Sequence, residues 1–295
     1  MVARQARIAA AGVAIGLLVA SHGLPVARAA PTPSRIVSLV PAATEMLFAV
    51  GAGPQVVGVS SYDTYPPQTA TLPKLGALLD PDVERILSLR PDFAVIYATQ
   101  TDLERQLHRA GIETYAYRHA GLPDVSRTIL DLGLRTGHRA EAESVVSSID
   151  GSLARIRRAV AGLPRPRTLL VFGRERLALR GIYASGGIGF LNDMLTSAGA
   201  DNVFADVKLE AVQATTESVI ARQPEVIVEV RGADTPMPHG AVQDEIKTWS
   251  ILGSVPAVRN GRVFYLIDER LVVPGPRVAQ GVRILANAIH PGAVR

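Results

Sequence analysis

The sequence predicts an α/β protein of two lobes, each with a mostly parallel sheet flanked by helices, the two joined by one long rigid α-helix. Two observations carry this. A strand–helix pattern is written twice, 133 positions apart, and strand, helix, strand, helix, strand is the grammar of a mostly parallel sheet. Between the copies runs an unbroken amphipathic stretch, with Ala, Glu and Arg where a flexible linker would carry Gly, Ser and Pro.

In chain order, Arg4 and Arg7 precede a short apolar run, Ile8 to Ala20, which is too short to span a bilayer. Ala27-Arg28-Ala29 then offers the small-x-small pattern of signal peptidase, so residues 1–29 are expected to be a secretory signal cleaved before Ala30, with an N-terminal membrane anchor as the alternative. Removing Arg4, Arg7 and Arg28 takes the formal charge from +4 to +1, which is no phosphate-binding balance and argues against a nucleic-acid partner. Cysteine is absent from the chain, which excludes disulfides, thiolate metal sites, a cysteine nucleophile and a lipidated cysteine. The product is therefore expected to be an exported chain and not a lipoprotein.

The first lobe is expected over 30–123. Strand RIVSLV (35–40) leads into helix EMLFAVGAG (45–53), closed by Gly51, then strand VVGVS (56–60). VERILSLRPDFAVI (83–96) follows: Glu84 opens a short helix, Ile86 and Leu87 face inward, Pro91 stops it, and Asp92 precedes a buried strand. A connecting segment, 124–163, begins with a helix capped by Asp124 and closing near Gly137. The strut then runs from Arg139 to Leu163, with Val145, Ile149, Leu153, Ile156 and Val160 on one face and Pro164 as its stop.

The second lobe, 164–295, repeats the first. RTLLVF (167–172) answers RIVSLV, NDMLTSAGA (192–200) with Gly199 answers the first helix, NVFAD (202–206) answers VVGVS, and TESVIARQPEVIVE (216–229), with Glu217, Pro224 and Glu225, answers 83–96 without a gap. SGGIG (185–189) lacks the glycine spacing of a nucleotide loop and reads as a tight turn into the next helix.

RIVSLVPAATEMLFAVGAGPQVVGVSSYDTYPP (35–67) followed by PDVERILSLRPDFAVIYA (81–98) resembles the periplasmic substrate-binding proteins of cobalamin and iron-chelate ABC importers, most closely the vitamin-B12-binding branch. The resemblance covers nearly the whole chain after the leader. It implies a non-enzymatic receptor that holds a ligand between two lobes and docks on an inner-membrane permease. On that pattern Glu84 and Glu217 match the acids that pair with permease arginines. Physics alone offers the simpler role of an acid at a helix N-terminus.

Tyr62, Tyr97 and Tyr183 match aromatic positions of the cobalamin pocket, while tryptophans of that pocket align with Leu78 and Ala211 and the single tryptophan, Trp249, lies elsewhere. Each tyrosine also suits a half-buried packing role. Arg174, Arg176, Arg231 and Arg270, with Arg180 beside them, suit carboxylates or phosphate on a ligand, or else a solvated loop. The expected ligand is a corrinoid, with haem or a ferric siderophore as alternatives. Haem needs one axial ligand from the protein, for which Tyr62, His119 and His239 are the candidates. Direct metal capture has no HxH or HExxH to support it, and catalytic motifs are absent, so no catalytic residue, resident metal or cofactor is expected. An exported chelate-processing enzyme or a sensor on the same scaffold is the remaining reading.

Overall fold

The computed structural model describes residues 32–232, 237–238 and 240–294. The leader and its cleavage site lie outside the described residues, as does His239.

The first half runs β1 (Ile36–Ser38), α1 (Pro41–Ala49), β2 (Val56–Val59), α2 (Val83–Ser88), β3 (Phe93–Tyr97), α3 (Thr101–Arg109) and β4 (Glu113–Tyr117). Its four-stranded sheet has the order β2-β1-β3-β4, every pair parallel. Helix α1 starts earlier than the apolar spacing suggested, because Pro41 takes the first helical position, where its fixed φ and missing N–H cost nothing. It ends where Gly51 adopts φ +95°.

Two helices follow, α4 (Leu122–Thr136) and α5 (Arg139–Val160). Asp124 is not the cap of α4 but its third residue, accepting the Gly121 N–H at 3.0 Å. The 22 residues of α5 make a rod of roughly 33 Å at 1.5 Å per residue. It stops short of Pro164, its last turn tightening over 161–163.

The second half holds β5 (Arg167–Gly173), β6 (Ile182–Ser185), α6 (Phe190–Ser197), β7 (Asp201–Asn202), β8 (Ala211–Ala214), α7 (Thr216–Arg222), β9 (Val226–Arg231), α8 (Ala241–Thr248), α9 (Pro256–Arg259), β10 (Val263–Ile267) and α10 (Val278–Ile289). The strand order is β10-β9-β5-β6-β8, with β7 paired to β5. Strands β10, β9, β5 and β7 are parallel neighbours, whereas β6 runs antiparallel to both β5 and β8. The strand expected over 202–206 shrinks to β7, since a run of turns replaces it.

The repeat extends to its hydrogen bonds. Arg35 donates from Nε to Leu89 O at 2.9 Å, and Arg167 donates from Nη2 to Arg222 O, so each strand-start arginine satisfies a carbonyl at the end of the repeated helix. The backbone N–H of each arginine is accepted by the acid after the proline, Asp92 Oδ1 at 2.9 Å and Glu225 Oε2 at 2.8 Å. The residues before the prolines, Arg90 and Gln223, both take left-handed φ, 48° and 45°, which ends the helix while keeping clear of the helical region that a following proline disfavours.

Strand alternation sorts the core into layers. Ile36, Phe93 and Val95 from the first sheet and Leu170, Val226 and Val228 from the second belong to one apolar cluster, completed by residues of α1, α4, α5, α6 and α10. The opposite faces carry separate clusters, Val37, Ala94 and Ile96 on one sheet and Leu169, Val171 and Ile227 on the other. The strut is thus not the only bridge. The described residues form one compact unit, and separating the sheets would open a shared core.

Candidate functional site

A cavity of about 900 Å³ lies between the two repeats. Its wall is built at the C-terminal ends of strands, where open parallel sheets place ligands. From the first half come Pro41 after β1, Ser61, Tyr62 and Thr64 after β2, and His119 after β4. The second half gives Phe172 at the end of β5, Ile188, Phe190 and Leu191 around the start of α6, and Glu210 and Ala211 before and in β8. Arg231 and Gly232 at the end of β9, then Glu269, Val272 and Val273, complete it. The repeated helices α1 and α6 both turn their first residues to this space, and neither has a side-chain cap.

The SGGIG turn brings the backbone in close. A Cβ on Gly186 would stand 2.0 Å from Leu209 O and one on Gly187 2.3 Å from Ala205 O, so only glycine lets the two loops pass. That contact carries Glu210 to the wall.

Of the predicted ligand residues, the structure brings Tyr62 and Arg231 together on the wall. Tyr62 is largely exposed there. Arg231 is oriented from behind: Nη2 donates to Glu229 Oε2 at 3.0 Å, and the guanidinium lies 5.3 Å from the Tyr265 ring centre. Tyr183 is half exposed and packs on Phe172, ring centres 6.3 Å apart, one layer behind the wall. Ala211 is on the wall and Leu78 is not. Tyr97 also falls outside it, its ring edge-on to Tyr117 at 6.0 Å.

Arg174 is corrected. Its side chain is 1% exposed and is consumed by buried acids, Nε donating to both Glu229 oxygens at 3.0 Å and Nη2 standing 2.9 Å from Glu245 Oε2. Glu229 also accepts Trp249 Nε1. A guanidinium so enclosed cannot reach a ligand; it neutralises Glu229 and Glu245, and Glu229 in turn holds Arg231. Arg176 is exposed beside Glu245, Arg180 pairs with Glu175, and Arg270 folds back on Asp268 and Gln280, so none of them lines the cavity.

His119 is open to the cavity, its ring edge-on to Phe190 with centres 5.9 Å apart. The enclosing protein desolvates the imidazole and lowers its pKa, against the opposing charge of Glu210. Glu210, Glu269 and the apolar wall residues escaped the sequence reading, because they sit in irregular loops with no motif to mark them. Among the described residues no cluster of three or more His, Asp or Glu side chains is arranged to hold an ion, and no described helix is long and apolar enough to cross a membrane.

Glu84 and Glu217 stand in the first turns of α2 and α7, exposed, at equivalent places in the two repeats. Hydrogen bonding from its own N–H and from Thr215 and Thr216 lowers the pKa of Glu217.

Residues 36–269 match the sequence model of a family described as periplasmic binding protein. The chain belongs to the periplasmic binding protein family. An uncharacterised ABC transporter substrate-binding lipoprotein of Bacillus subtilis, YvrC, is 31% identical over 88% of this chain and 81% of its own. A vitamin B12-binding protein of Salmonella choleraesuis is 27% identical over 86% of this chain and 90% of its own. The apo structure of the periplasmic haem-binding protein RhuT of Roseiflexus superposes with a TM-score of 0.74 at 27% identity, covering 88% of this chain and 99% of the other.

Proposed function

We propose that this protein is an exported, non-enzymatic receptor that captures a corrinoid in the inter-repeat cavity and delivers it to an ABC-type permease. The observation that carries this is the make-up of the wall. Its apolar part, Phe172, Phe190, Ile188, Leu191, Val272 and Val273, suits the face of a flat macrocycle. Its charged part is two carboxylates, Glu210 and Glu269, against one guanidinium, Arg231. A corrinoid is fringed by neutral amides, whose N–H groups suit carboxylates and whose carbonyls suit arginine. Haem propionates or a polyanionic ferric chelate would find one guanidinium on the wall, Arg231, already hydrogen-bonded to Glu229.

In this reading Tyr62 and Arg231 touch the ligand, and Tyr183 supports the wall through Phe172. Glu84 and Glu217 dock the protein on two permease subunits. The leader is removed before Ala30, and with no cysteine the product is a free periplasmic monomer, unlike the Bacillus subtilis lipoprotein. Haem is the second reading, favoured by the similarity to RhuT. The test is to incubate the purified protein with cyanocobalamin, haemin or a ferric hydroxamate and record the visible spectrum of the protein peak after gel filtration. Corrinoid bands with the protein are expected. A haem or ferric spectrum in their place would overturn the corrinoid assignment.

A further inference from the structure

We propose that His119 coordinates the metal of the bound chelate, so that the cavity selects corrinoids carrying an exchangeable axial water. This rests on the corrinoid reading and deepens it.

His119 stands apart from the other described histidines. His108 is engaged with Thr114 Oγ1 at 2.8 Å and His290 with Gly199 O at 3.1 Å, while His138 packs against Gly51. None of these lines the cavity. His119 does line it, and neither of its ring nitrogens hydrogen-bonds to any described residue. A polar ring left open at a ligand site, with its orientation fixed by the edge contact to Phe190, is a donor awaiting a partner. The remaining wall donors are oxygens, and imidazole is a much better partner than carboxylate for a late first-row metal of this kind.

The step is a ligand substitution. The bond from cobalt(III) to its axial water breaks, a bond from cobalt to one His119 nitrogen forms, and the water leaves. Cobalt keeps its oxidation state and the other ring nitrogen keeps its proton. A corrinoid whose upper position holds cyanide has no such exchangeable water and would bind through the walls alone.

The test compares aquocobalamin with cyanocobalamin on the wild-type protein and on His119→Gln and Tyr62→Phe. The wild type is expected to shift the near-ultraviolet and visible bands of aquocobalamin and to prefer it over cyanocobalamin by about tenfold or more. His119→Gln should lose the shift and bring that ratio near one. Because the ratio is taken within one variant, a general loosening of the cavity cancels. Tyr62→Phe should keep the shift in whatever aquocobalamin it binds. An unshifted spectrum on the wild type, or a shift that survives His119→Gln, would overturn the axial role and leave the corrinoid reading standing. Failure of both corrinoids to bind the wild type would overturn that reading and the axial role with it.

Discussion

The Arg277 guanidinium grips the Glu45 carboxylate, Nε donating to Oε2 at 2.8 Å, and ties α1 of the first repeat to the start of α10 at the far end of the chain. Glu45 is 4% exposed, and Arg277 also lies 3.7 Å from the Tyr65 ring centre. Burial raises the pKa of Glu45 even with this partner, whose hydrogen bond and charge work to lower it. Arg277→Met should therefore strand a buried carboxylate and cost about 3–5 kcal/mol at neutral pH, the usual cost of breaking a buried pair from one side. The double variant Glu45→Gln, Arg277→Met should lie nearer the wild type. Urea denaturation of the three proteins checks the order.

Asp63 sits between two wall residues, Tyr62 and Thr64, yet is itself 3% exposed, and neither of its carboxylate oxygens has a hydrogen-bond partner among the described residues. Desolvation pushes its pKa up to about 7, opposed by Thr44 and by the charge of Lys74, whose Nζ donates to the Asp63 backbone oxygen at 2.6 Å. The folded state thus holds a proton that the unfolded chain releases near pH 4, and stability contributed by this group is lost as pH climbs from about 4 to about 7. Asp63→Asn should match the wild type near pH 3, gain on it progressively above about pH 4, and exceed it at pH 8 by up to roughly 4 kcal/mol. Thermal melts across that range are the check; equal pH profiles would contradict it.

Arg174 and Arg231 should behave oppositely. Arg174→Met leaves Glu229 and Glu245 buried without their shared cation and should destabilise the protein by several kcal/mol, roughly 3–5. Arg231→Met leaves Glu229 still held by Arg174 and Trp249, so it should destabilise the protein less than Arg174→Met, and it should weaken ligand binding by about tenfold, the loss of one charge-assisted contact. Melting curves and ligand titrations on both variants measure this. A strong affinity loss in Arg174→Met without destabilisation would return that residue to the site.

Much of this was legible in the sequence because the repeat exposes itself twice. Strand composition, Gly51 and Gly199, the prolines and the paired glutamates all depend on local rules, and local rules read from sequence. The site was less legible because its wall is made by loops. Tyr62 follows β2 and Arg231 ends β9, and both line the cavity as strand-end positions do; Glu210 reaches the wall only because Gly186 and Gly187 let two loops touch, a contact that no periodicity encodes. Arg174 misled for the converse reason. Three arginines within seven residues look like a basic patch, and only the fold reveals that buried Glu229 and Glu245 absorb the first of them. The shared core was missed because α10 and α4 bridge sheets that sequence presents as separate units.

Glu84 and Glu217 should act in delivery and not in capture. If these acids dock on permease arginines as proposed, reversal of both to Lys would replace attraction by repulsion, which costs several kcal/mol at an interface. On the free protein only the helix-terminus contribution, about 0.3–1 kcal/mol each, is lost. Ligand affinity should stay within about threefold of wild type while uptake and permease ATPase stimulation fail, with single reversals in between. Equal losses in affinity and uptake would move these acids into the cavity.

The most direct measurement is calorimetric titration of cyanocobalamin into the wild-type protein and into Tyr62→Ala. One-to-one binding is expected, weakened by about three- to tenfold in the variant, since stacking on an exposed cleft tyrosine contributes about 0.5–1.5 kcal/mol beyond its area. Absence of any binding heat, or full affinity in Tyr62→Ala, would contradict a corrinoid held in this cavity.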